Sequence, residues 1–113
     1  MSEHFWVKSF PGAITVCDTE GIILEMNDAS LEAFRDDGGQ QLLGTNMLDC
    51  HPGQAREKLE QMMAAQQANV YTIEKHGKKK LIYQTPWYRD GEYAGFMEIA
   101  LVIPEEMPHF VRK

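Results

Sequence analysis

The sequence is poor in cysteine, in basic residues and in long apolar runs, and each shortage excludes a class of protein. Cys17 and Cys50 are the only cysteines among 113 residues, so no disulfide framework is expected and a reducing cytoplasm is the expected location. Eleven basic residues stand against 17 acidic ones, and the net charge of −6 disfavours binding to nucleic acid or to an anionic membrane surface. No apolar run approaches the roughly 20 residues that span a bilayer, and residues 1–10 do not resemble a signal peptide.

Residues 14–27 carry the clearest local pattern of the chain. Two β-rich runs flank the segment Asp-Thr-Glu-Gly at residues 18–21, in which Gly21 can adopt a positive φ. Asn27 is a predicted N-cap, because its side chain can accept a hydrogen bond from an N–H group of the first helical turn. The segment therefore predicts a hairpin that leads directly into a helix.

The rest of the chain shows a helical pattern followed by a β pattern. Four apolar residues recur at i, i+4, i+7 and i+8 and predict one buried helix stripe: Ala55, Leu59, Met62 and Met63. Gly77 and Gly91 then separate alternating runs that predict consecutive antiparallel strands. The predicted strands are residues 13–17, 22–25, 70–75, 80–88 and 93–103, and the predicted helices are residues 28–34 and 54–67.

Helices confined between two β blocks predict an α+β fold, with one antiparallel sheet and helices on one face. Both faces of residues 93–103 are largely apolar, so we expect this strand at the centre of the sheet. We expect residues 1–12 to form an N-terminal arm, residues 13–103 one domain, and residues 104–113 a C-terminal tail.

The order of several short signals resembles the PAS domain family over roughly residues 10–103. The matching positions are Asp18, Gly21, Ile23, Asn27, Leu43-Gly44, the helix after Pro52, Thr85-Pro86, Asp90-Gly91 and Gly95. This resemblance implies a five-stranded antiparallel sheet in the order 2-1-5-4-3, with short helices on one face above a central cavity. It also implies a sensor or interaction module in signal transduction.

The chain departs from the multidomain members of that family. It carries no kinase, cyclase or DNA-binding segment, and residues 102–104 read Val-Ile-Pro in place of the usual Asp-Ile-Thr. We therefore expect a stand-alone, non-enzymatic module that acts through a separate signalling protein or as a homodimer. A small enzyme is the alternative, but it needs a clustered acid–base set, and Glu98 is the one oddly placed carboxylate.

Of the cofactors that the family resemblance suggests, only haem has a candidate ligand residue in this sequence. Flavin photosensors need an Asn-Cys-Arg-like segment, whereas Asn46 is followed by methionine, so we expect no flavin adduct. A haem-based gas or redox sensor needs an axial histidine that faces the cavity, and His51 is the candidate. The alternative is that His51 only packs at the start of the long helix. The four histidines are scattered, so no metal site is expected.

A small apolar or aromatic ligand is the other possible occupant of the family cavity. Methionine adapts to irregular apolar pockets, and tyrosine adds an apolar ring with a polar end. A filled core is nevertheless the favoured expectation for so small a domain, since voids cost stability. The candidate pocket residues are Met26, Leu31, Phe34, Leu43, Met47, Leu48, His51, Met62, Tyr71, Tyr83, Met97 and Ile99.

The N-terminal arm contains four large apolar residues with two possible roles. They cover the open face of the sheet, or they contact a second copy of the chain, and we expect the homodimer. The residues are Phe5, Trp6, Val7 and Phe10.

Overall fold

A computed structural model describes residues 5–51 and 53–113 of the chain. Residues 1–4 of the arm and Pro52, predicted at the start of the long helix, lie outside the described residues, as does the side chain of Cys50. The strands are β1 Ala13–Cys17, β2 Ile23–Met26, β3 Asn69–Lys75, β4 Lys78–Arg89 and β5 Glu92–Ile103. The helices are α1 Phe5–Ser9, α2 Asp28–Ala33 and α3 Gln54–Ala65, with 3₁₀ helices at Arg35–Asp37, Gly39–Leu42 and Met47–Cys50.

The strands form one five-stranded sheet in the order β2-β1-β5-β4-β3, and every neighbouring pair is antiparallel. This confirms the predicted fold. The last strand, β5, pairs with β1 on one side and with β4 on the other, so its two apolar faces lie at the centre of the sheet. The strand β4 is longer than predicted and, like β5, is twelve residues long.

Two tight hairpin turns set the register of the last three strands. His76 and Gly77 join β3 to β4, and Asp90 and Gly91 join β4 to β5, all four with φ between 52° and 82°. Positive φ at both central residues is the signature of the type I′ turn, whose twist matches that of the flanking strands. The lysines at 78–80 begin β4, which therefore starts two residues before the predicted strand 80–88.

The hairpin of β1 and β2 and the following helix also form as predicted. The Asp18 carboxylate accepts hydrogen bonds from the backbone N–H groups of Glu20 and Ile22, which closes the turn. The Asn27 side chain accepts a hydrogen bond from the N–H of Ser30 and caps α2.

The apolar core lies where α3 and the 3₁₀ helix Met47–Cys50 cover the sheet. The buried cluster is Leu48, Leu59, Met62, Met63 and Phe96. The predicted α3 stripe is wrong at its first member, because Ala55 in the first turn is exposed. Among the described residues, no helix is long and apolar enough to cross a membrane.

Candidate functional site

A cavity of about 370 Å³ lies between the sheet and the segment that carries α2 and the three 3₁₀ helices. Sequence reasoning favoured a filled core, and the cavity corrects that expectation. The reason is that the buried cluster packs beside α3, which leaves the space beneath Phe34 and Leu42 without side chains to fill it. This volume falls within the range of small-molecule sites, which is roughly 300–1,000 Å³.

Five of the predicted pocket residues border this cavity: Met26, Phe34, Met47, His51 and Met97. In that order, they come from β2, the C-cap of α2, the 3₁₀ helix Met47–Cys50, the C-cap of that 3₁₀ helix, and β5. Met97 lies between Phe96 and Glu98, so the alternation of the strand turns its side chain to the other face of the sheet. Contact of these residues with a ligand stays a prediction.

Four other predicted residues lie away from the cavity on the helical side of the sheet. Leu31 and Leu43 border a separate surface groove together with Val7 and Leu24. Leu48 and Met62 are buried in the core cluster. Sequence periodicity identified these residues as apolar and inward-facing, but it did not distinguish the cavity wall from the core or from the groove.

The remaining three predicted residues are separated from the cavity by the geometry of the sheet. Tyr83 and Ile99 face each other across β4 and β5, on the face opposite the cavity. Tyr71 lies on the cavity face, but β3 is an edge strand, and the side chain is 41% exposed.

The cavity also has polar lining residues that were not among the predicted pocket residues, although Glu98 was noted in the sequence as an oddly placed carboxylate. Thr15, Gln84 and Glu98 lie side by side on β1, β4 and β5. Asp37 borders the cavity from an exposed 3₁₀ helix, so this end is open to solvent. A signal was present in the sequence, because polar residues interrupt otherwise apolar strands at 84 and 98. The cross-strand register that places these residues side by side could not be predicted from the sequence. The missed apolar and thiol lining residues are Cys17, Ile23, Leu42, Leu59 and Phe96.

The Glu98 carboxyl is the most perturbed acid of the cavity. Burial raises its pKa above the usual range, while nearby His51 and hydrogen bonding with the Gln84 amide lower it in part. Among the described residues, Glu98 takes part in no ion pair. A buried carboxylate without a counter-ion is costly, which makes this position a candidate for ligand recognition.

The His51 ring is oriented by its own backbone. Its Nδ1 lies 2.8 Å from the carbonyl oxygen of Met47. Because a carbonyl only accepts, Nδ1 must carry the hydrogen, and Nε2 of the neutral ring is an acceptor. The ring therefore adds a second acceptor to the cavity lining.

Cys17 adds a thiol to the cavity but no nucleophile. Burial, with smaller effects from Asp18 and Glu98, raises the pKa of this thiol to about 12. It stays protonated at neutral pH, and the thiolate is the reactive form. The cavity thus offers no activated cysteine among the described residues.

Haem does not fit this lining. His51 offers one nitrogen for an iron atom, but the two propionates of haem need positive charge. No lysine or arginine lines the cavity in the described part of the chain, and Asp37 and Glu98 add negative charge. No group of three or more metal-binding side chains occurs among the described residues either.

The apolar side chains of the arm differ in how far they are exposed. Phe5 and Trp6 on α1 are 60% and 69% exposed. Val7 accepts a hydrogen bond from Asn27 through its carbonyl, and Phe10 packs beside Gly12, whose other close neighbour is Leu101. The end of the arm thus lies against the sheet, whereas its start leaves two aromatic rings at the surface.

Comparisons with known proteins agree with this architecture. The sequence profile of the PAS fold family matches residues 7–106, which include the second half of the arm. No curated protein sequence matches the chain at a significant level.

Solved structures that share the fold include PAS domains from several organisms. The PAS domain of BvgS from Bordetella pertussis is 24% identical, with a TM-score of 0.64 over 90% of this chain and 84% of that one. A PAS domain from Colwellia psychrerythraea is 19% identical, with a TM-score of 0.63 over 90% and 94%. The Aer2 receptor from Vibrio cholerae, described as a dual PAS-haem oxygen sensor, is 17% identical, with a TM-score of 0.61 over 82% and 95%. With the profile match over nearly the whole chain and the strand order β2-β1-β5-β4-β3, the chain belongs to the PAS domain family, whose members are sensory and interaction modules.

Proposed function

We propose that this PAS domain is a cytoplasmic, non-enzymatic sensor that binds a small, largely apolar ligand in the cavity between helices and sheet. Occupancy of the cavity would then change contacts with a second copy or with a separate signalling protein. The single observation that carries the proposal is the cavity of about 370 Å³ in a chain of 113 residues.

The cavity supports a binding role through its size and its opening. Its volume of about 370 Å³ lies within the range of small-molecule sites. The end beside Asp37 is open to solvent, so a small molecule has a route into the space between the helices and the sheet.

The composition of the wall indicates the class of ligand. Phe34, Leu42 and Phe96 supply apolar surface, and Thr15, Gln84 and Glu98 supply a small number of polar contacts. Mostly apolar walls with a few placed polar groups are typical of small-molecule sites. An enzymatic role finds less support, because among the described side chains no activated nucleophile lies beside the acids and His51.

The test is binding of a neutral aromatic probe to wild-type protein and to a cavity-filling variant. We expect 2-phenylethanol to shift amide resonances of cavity residues in two-dimensional NMR spectra. Leu42→Trp should fill the cavity and weaken this binding at least about tenfold, which corresponds to 1.4 kcal/mol.

Leu43→Trp is the matched control for that variant. Leu43 neighbours Leu42 in the chain but borders the separate groove, so the same substitution should leave binding unchanged. Equal binding by both variants would contradict the proposed site. Mass spectrometry under native conditions would add the mass of any molecule retained from the cell.

A further inference from the structure

One row of polar side chains crosses the cavity face of the sheet. Asn69, Gln84, Glu98 and Thr15 are cross-strand neighbours on β3, β4, β5 and β1 in that order. The rows on either side of it on the same face are apolar where β4 and β5 meet, with Ile82 and Ala100 on one side and Pro86 and Phe96 on the other. The polar groups of the cavity floor are therefore concentrated in one line.

The hydrogen bonds within this row orient the Gln84 amide. The Asn69 side-chain amide donates to Oε1 of Gln84 at 3.1 Å, so the oxygen of Gln84 is already engaged. Its NH₂ group is the part that can serve Glu98, whose carboxyl it stabilises by hydrogen bonding. A carboxylate has about four acceptor positions, so one amide donor leaves most of them unused.

Two further side chains of the cavity add acceptors. Nε2 of the neutral His51 ring accepts, because Nδ1 donates to the Met47 carbonyl. Asp37 adds a carboxylate at the open end, and the described lining contains no lysine or arginine. The described lining thus holds two carboxylates without a lysine or arginine to balance them, and a ligand that supplies a positive charge would be complementary to it.

We propose that the cavity selects a small apolar molecule that carries a cationic amine, and that Glu98 binds its ammonium group. This inference rests on the proposed function of the cavity as a ligand site and names the chemistry of that ligand. The aromatic or aliphatic part lies against the apolar wall, and the ammonium donates to Glu98 in the polar row. Burial opposes ionisation of an unpaired carboxyl, and an ammonium ion in contact with Glu98 offsets that cost.

Three probes of nearly the same shape separate charge recognition from apolar binding. They are 2-phenylethylamine, 2-phenylethanol and 3-phenylpropionate, which present an ammonium, a hydroxyl and a carboxylate on the same phenylethyl frame. Titrations followed by NMR at neutral pH should rank the amine about tenfold tighter than the alcohol, because one hydrogen bond to a charged group provides that much. The carboxylate should bind most weakly.

The substitution Glu98→Gln should remove the advantage of the amine and leave alcohol binding within about threefold of wild type, since shape and volume are retained. Glu74→Gln is the matched control. It removes an exposed carboxylate from the opposite face of the same sheet and should leave the order of the three probes unchanged.

The outcomes distinguish the two proposals. Alcohol binding without preference for the amine, or a preference that survives Glu98→Gln, overturns the amine assignment and leaves the cavity site standing. Failure of all three probes to shift cavity resonances at millimolar concentration overturns both. The comparison of the three probes on wild-type protein needs no variant. It can therefore overturn the amine assignment even if Glu98→Gln fails to fold.

Discussion

At the scale of single residues, Asn27 connects three separate segments of the chain. Its Oδ1 accepts from the N–H groups of Ile14 and Ser30 at 2.8 and 3.0 Å. Its Nδ2 donates to the carbonyl oxygens of Gly12 and Val7 at 2.8 and 3.0 Å. The side chain is 5% exposed, so water cannot replace these partners when the amide is removed.

Asn27→Ala should therefore lower the free energy of unfolding by about 2–4 kcal/mol, more than a helix cap alone, because buried donors and acceptors lose their partners. Asn27→Asp should be intermediate, since a carboxylate keeps the two acceptor bonds and loses the two donor bonds. Chemical denaturation measures both. Asp28→Ala is the control, which removes an exposed ion pair with Lys8 and should cost less than about 1 kcal/mol. Equal losses at 27 and 28 would contradict this account.

Glu98 gives the second prediction at this scale, which concerns stability and pH. Its folded-state pKa is raised above the unfolded value by burial, so between the two values the folded state binds more protons than the unfolded state. Stability then falls as pH rises through this window. Glu98→Gln should unfold at a higher temperature than wild type at neutral pH, and the difference should shrink as the pH falls below the unfolded-state value of 4.5, where the carboxyl becomes protonated in both states.

Thermal unfolding at several pH values tests this, with Glu74→Gln as the exposed control. His51 and Asp37 border the same cavity, and Tyr71 is close enough for Glu98 to raise the tyrosine pKa in addition to the larger effect of burial. The informative quantity is therefore the difference between Glu98→Gln and wild type at each pH. A difference that grows as pH falls would contradict the sign derived from burial.

At the scale of elements, the close approach of β1 and β5 depends on a glycine. Gly95 has φ of +152°, and a Cβ atom there would overlap the carbonyl oxygen of Cys17 and approach Nε1 of Trp87 at 2.8 Å. That indole nitrogen donates to the same Cys17 oxygen at 2.8 Å. The missing side chain at Gly95 thus lets β1, β4 and β5 meet at one hydrogen bond.

Gly95→Ala should destabilise the fold by at least about 3 kcal/mol, because it combines backbone strain with a steric overlap that backbone atoms cannot relieve. The Trp87 fluorescence should change as its hydrogen bond is lost. Gly91→Ala is the matched control, since Gly91 also has a positive φ of 82° but no atom within 4 Å of the added Cβ. It should cost only about 1 kcal/mol of conformational strain. Similar costs for the two variants would show that packing at Gly95 contributes little.

At the scale of the whole molecule, the two faces of the sheet differ in what covers them. The cavity face lies beneath the helices, whereas the opposite face carries Tyr83, Ile99 and Leu101 and is contacted by Phe10 at one end of the arm. Large exposed apolar surfaces in soluble domains are commonly interaction sites. Because Phe10 of the arm and Leu101 of this face both lie beside Gly12, we propose that a second copy of the chain covers the arm and this face together.

Two tyrosines provide a matched test of that proposal. Tyr83 and Tyr71 are 42% and 41% exposed but lie on opposite faces of the sheet. If the dimer forms through the outer face, Tyr83→Lys should weaken it at least about tenfold by placing a charge in an apolar contact, and Tyr71→Lys should not. Sedimentation equilibrium measures the dissociation constants. A monomeric wild-type protein, or equal effects of the two substitutions, would contradict the proposed surface.

Local signals determined much of the architecture from the sequence alone. The Asn27 cap, the turns at Gly77 and Gly91, and the two apolar faces of β5 were all predicted and confirmed, because each depends on neighbours within a few residues. The turn residues, the cap and the strand period together define the order of elements, which led to the same strand order as the family resemblance.

Tertiary structure alone decided the cavity and the composition of its wall. Leu31, Leu48 and Tyr83 have the apolar character expected of pocket residues, yet they lie in a groove, in the core and on the outer face. Thr15 and Glu98 are 83 positions apart in the sequence and become neighbours through the pairing of β1 with β5. Composition and period report whether a side chain is buried, but cross-strand register decides which buried side chains meet, and this register arises only when the sheet has formed.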